Sequence, residues 1–410
     1  MTLRHDIEQM VENFDPWSPA LASDPEFFWA VINRMREKGP VLYSKEHDGF
    51  WIITRHAEVM RANKDWETFT SAEGATIPYN PDVPKLAPIE VDPPEHRDWR
   101  RMLNPLMSPS AVAGHEPAMR RIAGELMDEF IERGECDLAK DFAWRFVPGA
   151  LFELMLGVPA DQLPVTRELV QDFVSSEDPN RQQEVFADLE AWAKQFLLWR
   201  RERAPQGDVT DALLRGQVQG KPLTIDEMVS ALILLLLAGM ETTSSSIGYL
   251  AGLLIEDPAL RRHFTPDAPV DLAVEELLRH GSISVSLSRV ATRDVEIGGQ
   301  VIPAGGRVLL LWAAANWDPR VFPQPERFDI HRPQGNHLAF GAGPHKCMGA
   351  NFARLMLTVA TTEIVRRMPD LRLAPGSQIE RPPGLVRSTR SMRVLFRPTQ
   401  RSIVPAATHP

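Results

Sequence analysis

The sequence predicts a mainly α-helical protein with small β-sheets, on three observations. Stretches 116–133, 143–156, 163–176 and 182–203 place apolar residues three and four apart between polar ones, the period of a half-buried helix. A further stretch, 225–255, is apolar along most of its length and opens on Thr224 with Glu227 three residues later, the spacing of a capping box. The β-rich pieces are short and gather near the two ends, at 41–54, 293–311 and 386–397. The 35 prolines are spread along the chain, and no Gly/Ser-rich linker, repeat or low-complexity tract divides it. A single domain spanning 1–410 is therefore expected.

Each element has a local cause. Val41-Leu42-Tyr43 and Phe50 to Thr54 flank Asp48-Gly49, a turn signal that predicts a hairpin. Residues 71–95 are rich in proline and should be irregular. Asp271 ahead of Val274 predicts a helix start, with the helix ending near Arg279. Gly298-Gly299 and Gly305-Gly306 supply turns among the later strands, and a last helix is expected over 351–367.

Composition narrows the function classes. Lys plus Arg number 45 against 55 Asp plus Glu, a net charge of −10, so nothing drives contact with nucleic-acid phosphates. The longest apolar run, Ala231 to Met240, is about half of the roughly 20 residues that span a bilayer and reads as a buried helix. The first thirty residues mix acids among apolar positions, unlike a secretory leader. Two cysteines cannot build a disulfide framework. A soluble cytoplasmic protein without membrane or nucleic-acid partners is the expectation.

One decapeptide carries chemistry: Phe340-Gly341-Ala342-Gly343-Pro344-His345-Lys346-Cys347-Met348-Gly349. Its glycines would let the backbone turn tightly and approach a large planar group. Cys347 stands just before a helix, where N–H groups and the positive dipole end favour a thiolate, a soft ligand for iron. Taken alone, Cys347 reads first as a small buried hydrophobe and His345 as a surface histidine. Zinc would want four ligands, and Cys136 is the only other cysteine.

The decapeptide resembles the haem-binding loop of the cytochrome P-450 family, Phe-Gly-x-Gly-x-His-x-Cys-x-Gly, with all six fixed positions present. Three more stretches follow the family's order: Asp92-Pro93-Pro94-Glu95-His96 through Arg100-Arg101, Ala238-Gly239-Met240-Glu241-Thr242-Thr243, and Glu276-Leu277-Leu278-Arg279. The resemblance runs over nearly the whole chain. It implies the P-450 fold, with haem b between the long central helix and the helix after the cysteine loop. It implies Cys347 as axial iron ligand, Phe340, Gly341 and Gly349 around the haem, and His96, Arg100, Arg289 and His345 on the propionates. It implies Glu241 and Thr242 as the pair that routes protons to bound dioxygen, the Thr hydroxyl bonding back to the carbonyl four earlier and opening room beside Gly239. Glu276 and Arg279 would form a bracing ion pair with Arg327 as third partner, and the hydroxyls of Thr243 to Ser246 would mostly bond their own helix.

The implied reaction inserts one oxygen atom from O2 into a C–H bond. Electrons would come from NAD(P)H through a separate ferredoxin and ferredoxin reductase, docking near Lys346, Arg100, Arg101 and Arg354. Within the family, epoxidation or coupling is the alternative outcome, and a haem-binding sensor without turnover is the alternative class. Leu235, Ala238, Val285 and Leu287 are the substrate contacts expected, and their apolar character suits a small to medium terpenoid or aromatic molecule. The family usually has a proline between Ser282 and Ser288, where here serines alternate with Ile283, Val285 and Leu287. A period of two puts serine on one face and aliphatics on the other, and either could line a pocket.

Overall fold

The computed structural model describes residues 2–81, 83–176, 178–333 and 335–402. The first half holds helices α1 (Pro25–Lys38), α2 (His56–Lys64), α3 (Glu95–Leu103), α4 (Glu116–Asp128), α5 (Leu163–Ser175) and α6 (Pro179–Arg201). The second holds α7 (Ile225–Glu256), α8 (Val270–Gly281) and α9 (Ala350–Arg367). The capping box forms as expected: the Glu227 N–H donates to Thr224 Oγ1 at 3.3 Å, and the Thr224 N–H to Glu227 Oε2 at 2.7 Å. From that start α7 runs 32 residues through the core. It is long and apolar enough to cross a bilayer by composition, but Leu232, Ile233, Leu236 and Met240 are buried against protein. Helices α6 and α9 pack on it.

A five-stranded sheet joins strands far apart in sequence: β1 (Val41–Ser44), β2 (Phe50–Ile53), β3 (Phe69–Thr70), β4 (Ser286–Ala291) and β5 (Arg307–Leu311), in the order β1-β2-β5-β4-β3. The expected hairpin is β1–β2, with His47, Asp48 and Gly49 at positive φ in the turn. Strand β5 runs parallel to β2, Val308 opposite Trp51, and antiparallel to β4, Leu310 opposite Leu287. Alternation splits β5: Leu309 and Leu311 face a cluster with α1, whereas Val308 and Leu310 face Trp312, Leu338 and Ala342 beside the cysteine loop. A smaller sheet pairs Arg393–Leu395 with Arg372–Leu373 and Glu135–Asp137.

Four expectations shift. The stretch 143–156 is a five-residue α-helix, Trp144–Pro148, between two π-helical segments, Leu138–Ala143 and Gly149–Met155. Helix α4 stops at Asp128 rather than 133, ahead of Gly134 at φ 72. Asp271 lies inside α8 rather than capping it; the cap position is Pro269, and the acid sits in the first turn, where it complements the dipole. The helix also runs past Arg279 to Gly281 before Ser282 turns left-handed at φ 42.

Candidate active site

The cysteine loop is fixed by close packing. Gly343, at φ 69, lies against α2, and a Cβ there would collide with the backbone of Asn63 and Lys64. Gly341, at φ 63, faces the Trp312 ring. The Cys347 N–H donates to the Phe340 carbonyl at 2.8 Å and closes the loop. Burial pushes the Cys347 thiol up, opposed by the Gly349 N–H and by Arg100, Arg354 and Lys346. Yet Cys347 keeps exposed surface. The two facts agree for a side chain set deep among protein groups but open on one side. A Cβ on Gly349, the N-cap of α9, would meet no atom within 4 Å.

Beside the loop lies a cluster of cations and histidines. Helix α3 brings His96 to within 4.3 Å of the His345 ring, centroid to centroid, and Arg100 Nη1 donates to the Lys346 carbonyl at 2.7 Å. Asp92, which opens the sequence motif, is the hub of the cluster. It accepts from Thr70 and, at 3.0 Å, from Ser71 Oγ, and it lies 3.4 Å from His345 Nε2. Burial raises its pKa, but His345, Thr70 and Ser71 together hold it down to about 2. Burial, then His345 and Arg100, push His96 down to about 3. Arg289 on β4 is buried and pushed down to about 10 by desolvation; it donates to the Ser288 carbonyl at 2.6 Å. Among the described residues no carboxylate lies within ion-pair distance of it, so its charge is short of partners. All four sequence-chosen groups, His96, Arg100, Arg289 and His345, thus meet in one place.

On α7 the accessible residues form a stripe. Leu234, Leu235, Leu237, Ala238, Glu241 and Thr242 keep surface, while Leu236, Met240 and Thr243 to Gly248 do not. Leu235, Ala238 and Thr242 are three and four apart and share one helix face. The Thr242 hydroxyl back-bonds to the Ala238 carbonyl at 3.0 Å, as expected. Gly239, however, opens no room, because Leu151 takes the space where its Cβ would be. Burial raises the Glu241 carboxyl to about 7, against a hydrogen bond from Ser388 and the charge of Arg390. The hydroxyl run divides: Ser246 bonds the Thr242 carbonyl at 2.8 Å, but Ser244 reaches Ala143 and Ser245 reaches Ser388. Those two are spent on neighbouring elements because this side of α7 is packed rather than open.

The brace behind the loop differs in its third member. Glu276 and Arg279 form a bidentate pair at 2.8 and 2.7 Å, both 2% exposed. The third cation is Arg332, at 3.1 Å, not Arg327, which contributes its backbone carbonyl and sends its guanidinium to Gln324. Arg279 also donates to the Asn316 carbonyl, and Asn316 Oδ1 accepts from the Leu338 N–H, two residues before the loop. Glu275, which sequence reading passed over, pairs with Arg354 and His337 and is held down to about 2 by them despite burial.

The serine stretch also resolves. Ser282 Oγ donates to the Arg279 carbonyl, and Ser288 Oγ to the Thr76 carbonyl at 3.0 Å. Leu287 and Arg289 lie opposite Leu310 and Val308, on the side of the cysteine loop. Val285 precedes β4 and packs instead with the cluster of Phe14, Phe28 and Val31.

An accessible thiol beside a side-chain-free patch, with a buried, under-partnered guanidinium nearby, suits a flat ligand that carries a metal and carboxylates. The cytochrome P450 family profile matches residues 150–264 and 270–396. The chain is 32% identical over 391 residues to a steroid C26-monooxygenase of Mycobacterium tuberculosis, covering 90% of this chain and 94% of that one. It is equally, at 32% over 379 residues, similar to cyclomarin C epoxidase CymV of Salinispora arenicola, covering 89% and 95%. Among solved structures, CYP108D1 from Novosphingobium aromaticivorans superposes with a TM-score of 0.85 at 27% identity, over 96% of this chain and 98% of that one. Mycobacterium marinum CYP268A2 in complex with pseudoionone superposes at 0.84 and 26%, over 92% and 96%. Fold, site chemistry and these relatives agree: the chain belongs to the cytochrome P450 family and is an oxidoreductase of the monooxygenase type.

Proposed function

We propose that the chain is a cytoplasmic, single-domain P450 that holds haem b through Cys347 and oxidises a small to medium apolar substrate. The observation that carries this reading is Cys347, which keeps exposed surface although its thiol is surrounded by enough protein to be pushed up, and which is hydrogen-bonded by the Gly349 amide. Haem, when bound, supplies the iron that activates dioxygen, and coordination removes the thiol proton. Phe340, Gly341 and Gly349 would form the floor for the haem, and His96, Arg100, Arg289 and His345 would receive its propionates, which would bring Arg289 the carboxylate it lacks.

Above that floor, Leu235 and Ala238 on α7 and Leu287 on β4 present hydrocarbon. Hydrocarbon excludes water and orients an apolar terpenoid or aromatic molecule. Val285 stands apart from this wall. Glu241 exchanges its proton near neutral pH and hands it to the Thr242 side of the helix. Electrons arrive from NAD(P)H by way of a ferredoxin and its reductase, steered by Lys346, Arg101 and Arg354. The relatives named as a steroid C26-monooxygenase and as a cyclomarin C epoxidase support oxygen transfer to an organic substrate, with epoxidation as the second outcome.

The test is a titration of the purified ferric protein with terpenoids, aromatic acids and fatty acids, followed by the haem spin state. A saturable low-to-high-spin change with one class names the substrate type, and product analysis then separates hydroxylation from epoxidation. Cys347→Ser should fold as the parent does and lose the thiolate-type spectrum of the reduced carbon monoxide complex. Retention of that spectrum would remove Cys347 from its role.

A further inference from the structure

On the far side of β4 from the cysteine loop lies a cavity of about 320 Å³. It falls within the roughly 300–1,000 Å³ range of small-molecule sites. Its α7 residues begin at Gly248, ten residues past Ala238, about 15 Å further along the helix at 1.5 Å per residue. The walls are aromatic and rigidly held. Trp29 stacks on Trp317 at 3.6 Å, and the Tyr249 hydroxyl is bonded to His280 Nδ1 at 2.7 Å, with His280 Nε2 on the Glu326 carbonyl. None of these groups has a role in the P450 reaction proposed above.

Two guanidinium groups also line the cavity, those of Arg381 and Arg387. Arg387 sits over Phe28, Trp29 and Tyr249 at 4.6, 4.9 and 5.5 Å, and its Nη1 donates to the Gly281 carbonyl. Burial pushes both groups down, and the charge of Arg381 adds to the effect on Arg387. Among the described residues neither has a carboxylate within ion-pair distance. Glu26 and Glu256 line the same cavity but are exposed. Arg387 has five N–H donors in a fixed fork; Gly281 and the Tyr249 hydroxyl engage part of it, and the half-buried side chain lines the cavity. A buried cation so placed is stabilised by a carboxylate, for which its geometry is bidentate.

We propose that this cavity binds a small monocarboxylate with a flat apolar or aromatic body, at a site separate from the one that faces Cys347. The carboxylate meets Arg387 and Arg381, and the apolar body lies against Trp29, Tyr249 and Trp317. The acids Glu26 and Glu256 select against more highly charged anions such as inorganic phosphate. Gly252 provides a clean way to close the site. It lines the cavity, sits in regular helix, and a Cβ there would meet no atom within 4 Å. Gly252→Leu therefore starts a side chain in open space at the cavity wall and replaces a poor helix former with a good one.

The experiment is isothermal titration calorimetry on the haem-loaded protein saturated with imidazole, which occupies the iron and blocks the haem pocket. Phenylacetate, its neutral analogue phenylacetamide, and inorganic phosphate are titrated separately. Phenylacetate should bind at one site, and phenylacetamide should bind at least about tenfold more weakly, the effect of losing a charge-assisted hydrogen bond. Phosphate should give no saturable heat. Arg387→Gln and Arg381→Gln should each weaken phenylacetate by a similar factor, and Gly252→Leu should abolish binding with unchanged or raised thermal stability. No phenylacetate binding by the parent at millimolar concentration would overturn the proposal. So would equal affinity for the amide, or parent-like binding by folded Gly252→Leu. That last variant decides the matter if Arg387→Gln does not fold.

Discussion

At the scale of single residues, the charge that matters most to this site is one the fold resists. Glu241 is held near pH 7 by burial, so it is protonated well above the range of a carboxyl in water. Below about pH 4 both the folded and unfolded chains keep that proton. As pH rises toward 7 the unfolded chain releases it first, and the folded state carries a growing penalty that is complete above the folded value. Its size is on the order of 3 kcal/mol. Glu241→Gln should therefore stabilise the protein at pH 8 and leave it nearly unchanged at pH 4.5, as read by urea denaturation of the haem-loaded form. Equal effects at the two pH values would mean that Glu241 is not the buried proton store described here.

At the scale of elements, legibility in the sequence followed the physics of each signal. The capping box, the hairpin and the cysteine loop were readable because each depends on residues a few positions apart. The four propionate candidates were readable by family pattern, and they do meet in space. What escaped was set by partners distant in sequence. Asp92 became a hub because β3 brings Thr70 and Ser71 to it, and Arg332 displaced Arg327 because the segment after 323 folds back on Glu276. Val285 and Leu287 part company only because the strand begins between them. No local period encodes any of these.

The loop itself separates two kinds of glycine. Gly343→Ala places a Cβ against the α2 backbone at positive φ and should lower the melting temperature even of haem-free protein. Gly349→Ala meets nothing within 4 Å and should leave haem-free stability within about 0.5 kcal/mol while weakening haem uptake, measured by Soret absorbance on reconstitution. Equal loss of haem-free stability in the two variants would refute the distinction between packed and open faces.

At the scale of the molecule, one buried carboxylate ties several segments together. Glu276 accepts from Arg279 within α8, from Arg332 and from the Asp329 N–H, and Arg279 carries the connection on to Asn316 and the approach to the cysteine loop. Glu276→Gln takes the counter-charge from the buried Arg279 guanidinium, and breaking such a pair costs about 3–5 kcal/mol. The expected result is a lowered urea midpoint and haem loss at a lower denaturant concentration than in the parent. A loss under about 1 kcal/mol would show that solvent screens the network.

The parallel contact between β2 and β5 has a consequence for how the chain is made. Trp51 leaves the ribosome long before its neighbour Val308 exists. At about 5–20 residues per second, the gap is tens of seconds. During that interval the β1–β2 hairpin stands as a two-stranded ribbon with an open edge, too small to be stable alone. The N-terminal fifth of the protein therefore cannot set until most of the rest has been synthesised, and translation speed and chaperone capture in that window govern how much of the chain reaches the folded state.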